Sequence, residues 1–117
     1  MYRRWRVKGS SAGDTAKTHT VAAPTDDVRQ LIIHGYFAVL RGAVTDKDTS
    51  VLIADSDTVS IWDDWFGTAA AIGTRLGIVF GTDRGGIEVP VGKGLTLITL
   101  DGGTGAIVTA GMWGIEV

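Results

Sequence analysis

The chain has 117 residues, 44% of them hydrophobic, with 17 glycines, no cysteine and a formal net charge of −2. That length makes one domain able to bury a core unaided, and the missing cysteines exclude disulfides, thiol catalysis and cysteine-ligated zinc. No apolar stretch approaches the roughly 20 residues of a membrane span, and no apolar segment follows the basic N-terminus as a secretory signal requires.

Charge is unevenly spread. Arg3, Arg4, Arg6 and Lys8 stand in the first eight residues, and the rest of the chain holds 7 basic against 13 acidic residues, −6 net. Residues 1–18 read as a basic, flexible N-terminal arm, with Gly9-Ser10-Ser11-Ala12-Gly13 as its joint. Its partner-binding residues would be Tyr2, Arg3, Arg4, Trp5, Arg6 and Lys8.

Residues 19–117 read as a single β-sandwich domain. Thr18–Ala23 is a first strand at its border, ended by Pro24 and the turn Thr25-Asp26-Asp27. Val28–Leu40 is the longest strand. Simple alternation puts Leu31, Ile33, Gly35, Phe37 and Val39 on one face and Ile32, His34, Tyr36, Ala38 and Leu40 on the other. Helical spacing competes, but Gly35 and the β-branched and aromatic content favour a strand. Both faces are largely apolar, so a second cover is expected, from the arm or from a neighbouring subunit, and Ile32, His34, Tyr36 and Leu40 become candidates for an oligomer interface.

A polar loop Thr45–Ser50 leads to strand Val51–Ala54, the turn Asp55-Ser56-Asp57 and strand Thr58–Trp62. Asp63-Asp64-Trp65-Phe66-Gly67 reads as a loop. Strands Arg75–Phe80, Ile87–Val91, Leu95–Leu100 and Ala106–Val117 follow, separated by the turns Thr82–Gly86, Gly92–Gly94 and Asp101–Gly105. About eight short strands at spacings of ~8–12 residues predict an all-β antiparallel sandwich, jelly-roll or Ig-like.

Little in the chain points to chemistry. Asp46-Lys47-Asp48 and Asp55-Ser56-Asp57 lack the downstream Gly and Glu of a calcium loop and read as turn-formers. His19 and His34 have no metal-ligand spacing, and no serine lies in Gly-x-Ser-x-Gly. Gly86–Gly94 departs from a phosphate loop in length and lacks a hydroxyl residue after Lys93. No catalytic residue, metal or cofactor is expected. Carbohydrate contact by Trp62, Asp63, Asp64 and Trp65 is a second reading, set against burial of the aromatics. Nucleic-acid binding rests on the short arm alone and is opposed by the acidic body.

The segments Thr58-Val59-Ser60-Ile61-Trp62, Arg75-Leu76-Gly77-Ile78-Val79-Phe80, Ile87-Glu88-Val89-Pro90-Val91-Gly92-Lys93-Gly94-Leu95 and the finish Gly105–Gly114 form a series. It resembles the small β-sandwich structural proteins of tailed-bacteriophage virions over roughly residues 28–117. The resemblance implies a non-enzymatic capsid decoration (cement) protein. Such a protein would be made in the host cytoplasm, sit on the capsid surface as an oligomer, a trimer by preference, and bind the major capsid or another virion protein. A tail or host-contact module binding carbohydrate through the Trp62–Trp65 loop is the alternative.

Overall fold

In a computed structural model the described residues are 3–10, 16–25, 28–42, 50–67, 70–99 and 107–117. Tyr2, most of the expected joint, the Asp26-Asp27 pair, almost all of the 45–50 loop and the 101–105 turn lie outside them. Among the described residues nine strands form: β1 (Arg3–Ser10), β2 (Lys17–Val21), β3 (Leu31–Gly42), β4 (Ser50–Asp55), β5 (Ser60–Trp65), β6 (Arg75–Val79), β7 (Ile87–Glu88), β8 (Leu95–Thr99) and β9 (Ile107–Glu116).

Pairing is antiparallel throughout and nested: β1 with β9, β2 with β8, β3 with β6, β4 with β5. Two further ladders, β3 with β9 and β4 with β8, join these pairs into sheets of order β1-β9-β3-β6 and β2-β8-β4-β5, with short β7 beside β3. A long hairpin of paired strands rolled onto itself gives this order, which is a jelly roll. The Ig-like alternative is thereby set aside. The molecule measures 44 × 24 × 17 Å along its principal axes.

The core lies between the sheets. Leu31, Ile33, Tyr36, Ala38 and Leu40 from β3 meet Val51, Ile53, Leu95 and Leu97 from the second sheet, with Val89, Val108, Ala110 and Met112 completing the layer. At one side of the sandwich Tyr36, Trp62 and Phe80 form a ring cluster, with centroids 5.1–6.4 Å apart.

Two features depart from simple alternation. A bulge in β3 sets Ile33 opposite Gly114 and Gly35 opposite Trp113, leaving His34 as the extra residue. One inserted residue exchanges the faces of everything after it. Tyr36, Ala38 and Leu40 therefore join Leu31 and Ile33 in the core, and Phe37 and Val39 turn outward.

The second departure is the N-terminus. Over residues 3–10 the flexible arm is replaced by an edge strand paired residue for residue with β9. Trp5 and Val7 pack against the core, and Trp5 Nε1 donates to the Ile115 carbonyl at 3.0 Å. Asp63-Asp64-Trp65, read as loop, continues β5.

Glycines let aromatic rings lie across the first sheet. Trp5 stands opposite Gly114, Trp113 opposite Gly35 and Phe37 opposite Gly111. A Cβ added at any of the three glycines would meet the facing ring within 2.4–2.6 Å. The ring covers backbone that the glycine leaves bare.

Candidate functional site

The outward face of β1, β9 and β3 carries the richest arrangement of chemical groups among the described residues. Alternation along β1 sends Arg4, Arg6 and Lys8 outward while Trp5 and Val7 point in. Arg6 pairs with Trp113 and Arg4 with Ile115 across the ladder. Trp113 lies over Gly35, so its ring forms a floor. On the far side the His34 bulge meets the Thr82–Gly86 turn, with His34 Nε2 2.7 Å from the Asp83 carbonyl. A carbonyl only accepts, so Nε2 carries the proton. Asp83 is held at φ 53°, the left-handed region in which Asp and Asn are tolerated.

These groups line an open cleft of about 870 Å³ whose walls include Arg4, Arg6, His34, Thr82 and Asp83 above Trp113 and Ile115. Neither guanidinium and neither the Thr82 hydroxyl nor the Asp83 carboxylate has a partner among the described residues.

The arm residues thus divide. Arg4, Arg6 and Lys8 face solvent, Trp5 serves the core, and Arg3 lies 3.9 Å from Glu116, which also pairs with Arg29 at 3.1 Å. Tyr2 lies outside the described residues.

The four positions expected at an oligomer interface do not make one surface. Tyr36 and Leu40 are 1% and 0% exposed within the chain's own core, and Ile32 is buried at 2% beside Gly86. Of the four, His34 alone keeps accessible surface. The second cover for β3 is the opposing sheet on one face and rings of its own sheet on the other.

The carbohydrate residues also divide, because they alternate along β5. Trp62 joins the ring cluster, and Asp64 accepts a short hydrogen bond from Tyr36 Oη across the sandwich. Burial, and then this hydrogen bond, push the Tyr36 hydroxyl up to about 12. Asp63 and Trp65 face outward together, with Trp65 Nε1 3.3 Å from Asp63 Oδ2.

The Asp55-Ser56-Asp57 segment closes the β4–β5 connection. Asp55 Oδ1 accepts from the amides of Asp57 and Val59 at 2.8 and 3.0 Å, and Lys93 Nζ stands 2.6 Å from Asp57 Oδ2. No group of three metal-ligating side chains is found among the described residues.

Trp113, Thr82 and Asp83 were not singled out by sequence reasoning. The available signal was the alternation Arg4-Trp5-Arg6-Val7-Lys8, a half-buried strand with a cationic outer face. That strand needs a neighbour, and Trp113 is outward on the long final strand.

Comparison with protein families and with curated proteins finds no match. Among solved structures, one of infectious bursal disease virus (Gx strain) superposes with a TM-score of 0.45 at 17% identity, covering 100% of this chain and 32% of that one. A virus-like particle of the extra small virus of the giant freshwater prawn Macrobrachium rosenbergii gives 0.37 at 16% identity, covering 98% of this chain and 79% of that one. The chain thus spans about a third of the first structure's length. At this level of superposition neither likeness speaks to what the chain does.

Proposed function

We propose that the chain is a non-enzymatic structural protein of a virion, a decoration protein that binds the capsid lattice as an oligomer, a trimer by preference. The observation that carries this reading is the strand order, β1-β9-β3-β6 over β2-β8-β4-β5. That order is the jelly roll used by capsid and lectin domains, and it agrees with the resemblance to small phage virion proteins. Fold alone does not set function, so the contact surface has to be named. With Tyr36 and Leu40 in the core, the contact falls on the outer side of β3 and β6. Phe37 and Val79 are 38% and 63% exposed there, and Ile78 is 44% exposed on the same edge strand. Exposed apolar surface of this kind marks an interaction site.

Light scattering across a dilution series tests the oligomer: a mass three times 12.3 kDa is expected. Mass spectrometry of particles purified from the protein's source tests the location, and absence of the chain from them would overturn it. The carbohydrate reading keeps Asp63 and Trp65 alone, a single exposed ring beside one carboxylate.

A further inference from the structure

We infer that the cleft on the outer face of β1, β9 and β3 is a binding site for an acidic sugar, a pyranose bearing a carboxylate. The site stands whether or not the chain assembles on a virion.

Three kinds of group meet there in an order that fits one ligand. Arg4 and Arg6 leave the same face of β1, about 7 Å apart along the strand, and line the cleft together. Both lack an anionic partner within the described chain. Paired guanidinium groups of this kind recognise a carboxylate by charge-assisted hydrogen bonds. Trp113, whose ring lies over Gly35, supplies an apolar surface for the C–H face of a sugar ring. Thr82 and Asp83 on the opposite wall offer a hydroxyl and a carboxylate, the groups that bind ring hydroxyls.

The opposite wall also decides between ligand classes. The Asp83 carboxylate, with Arg84 next to it in the turn, offers an acceptor that a sugar hydroxyl can use and a phosphate-rich chain cannot. On the same face Glu88 stands opposite Ile32 in the short β3–β7 ladder. A nucleic-acid strand crossing from Arg6 towards β3 would meet both negative charges, whereas a sugar hydroxyl is a donor to either. The volume, about 870 Å³, accommodates one or two sugar rings. The turn bearing Thr82 and Asp83 is fixed by the His34–Asp83 hydrogen bond and by Gly85 N donating to the Thr82 carbonyl at 2.8 Å, so the wall is built before a ligand arrives.

The test is an NMR titration of the isotope-labelled full chain with methyl β-D-glucuronide. Methyl β-D-glucoside, sodium phosphate and an eight-nucleotide oligothymidylate serve as parallel arms. Saturable shifts are expected at the Trp113 indole N–H and the Arg4, Arg6 and Thr82 amides. The neutral glucoside should bind about tenfold more weakly, as should the glucuronide to Arg6→Gln with an unchanged melting temperature. Asp83→Asn, which tolerates the same backbone, should weaken the glucuronide and strengthen phosphate. Absence of saturable shifts overturns the site. Equal binding of glucuronide and phosphate reduces it to a simple anion patch. Tighter binding of the oligonucleotide assigns the face to nucleic acid, and shifts centred on Asp63 and Trp65 move the sugar site to β5.

Discussion

Tyr36 shows how one side chain ties the two sheets together. Its ring stacks on Phe80 at 6.0 Å in the core and its hydroxyl reaches Asp64 on the opposing sheet. The hydroxyl is pushed from 10.0 up to about 12 by burial and by that bond. A folded-state value raised above the unfolded one favours folding fully below the unfolded value, and the benefit is lost as pH climbs through the folded value. Urea unfolding should therefore show stability falling between about pH 10 and about pH 12. In Tyr36→Phe this component of the fall should vanish, at a cost of about 1–2 kcal/mol near neutrality for the lost hydrogen bond. An identical alkaline profile in the variant would remove Tyr36 as its source. Thr58 is the other residue under constraint: a β-branched side chain at φ 62° in the β4–β5 turn. Thr58→Gly should raise stability by about 0.5 kcal/mol, since relief of the left-handed strain exceeds the added chain entropy. Thermal unfolding checks the sign.

At the scale of elements, β1 contributes more than an appendage would. Trp5 covers Gly114, bonds to the Ile115 carbonyl and packs on the core. Trp5→Ala should cost about 2–3 kcal/mol, read from the denaturant midpoint, while Arg4→Gln should leave the midpoint almost unmoved. An unchanged midpoint for Trp5→Ala would mean that the strand is a loosely attached arm after all. Much of this architecture was legible in the sequence. The period-two runs and the Gly- and Asp-rich turns gave the sandwich and nearly every strand, and the apolar character of both faces of Val28–Leu40 marked a strand covered on both sides, with the arm or another subunit expected as the second cover. The faces themselves were not legible, because a bulge is set by how β3 meets β9 and a single extra residue at His34 exchanges inside for outside. β1 was missed for a different reason. Its charges suggested a solvated arm, although Trp5 and Val7 between Arg4, Arg6 and Lys8 already formed the pattern of a strand with one buried side. The cleft was hidden because its residues come from four separate segments that only the folded pairing brings together.

For the whole molecule, the distribution of surface matters more than its net charge. A chain of −2 overall presents Arg4, Arg6, Lys8 and, on β6, Arg75 from one broad face, because Arg75 pairs with outward Val39. Exposed Phe37 on β3 and Val79 on β6 lie on the side of that face away from β1. If the β3–β6 side of this face assembles the oligomer, Val79→Asp should dissociate it without unfolding the monomer. Light scattering would then give one chain's mass, and the thermal transition would stay cooperative. An undiminished oligomer would place the contact elsewhere. The nested pairing of the strands also governs how the molecule comes into being. β1 is translated ahead of the other strands, yet its ladder partner is β9, and β9 is also a neighbour of β3. The early strands therefore wait through most of synthesis for the strand that completes their sheet, with Trp5, Leu31 and Ile33 uncovered meanwhile. Pairing between the most distant parts of a chain is the slow kind, and an unpaired apolar edge is the sticky kind. The nascent chain should depend on being shielded until β9 has emerged.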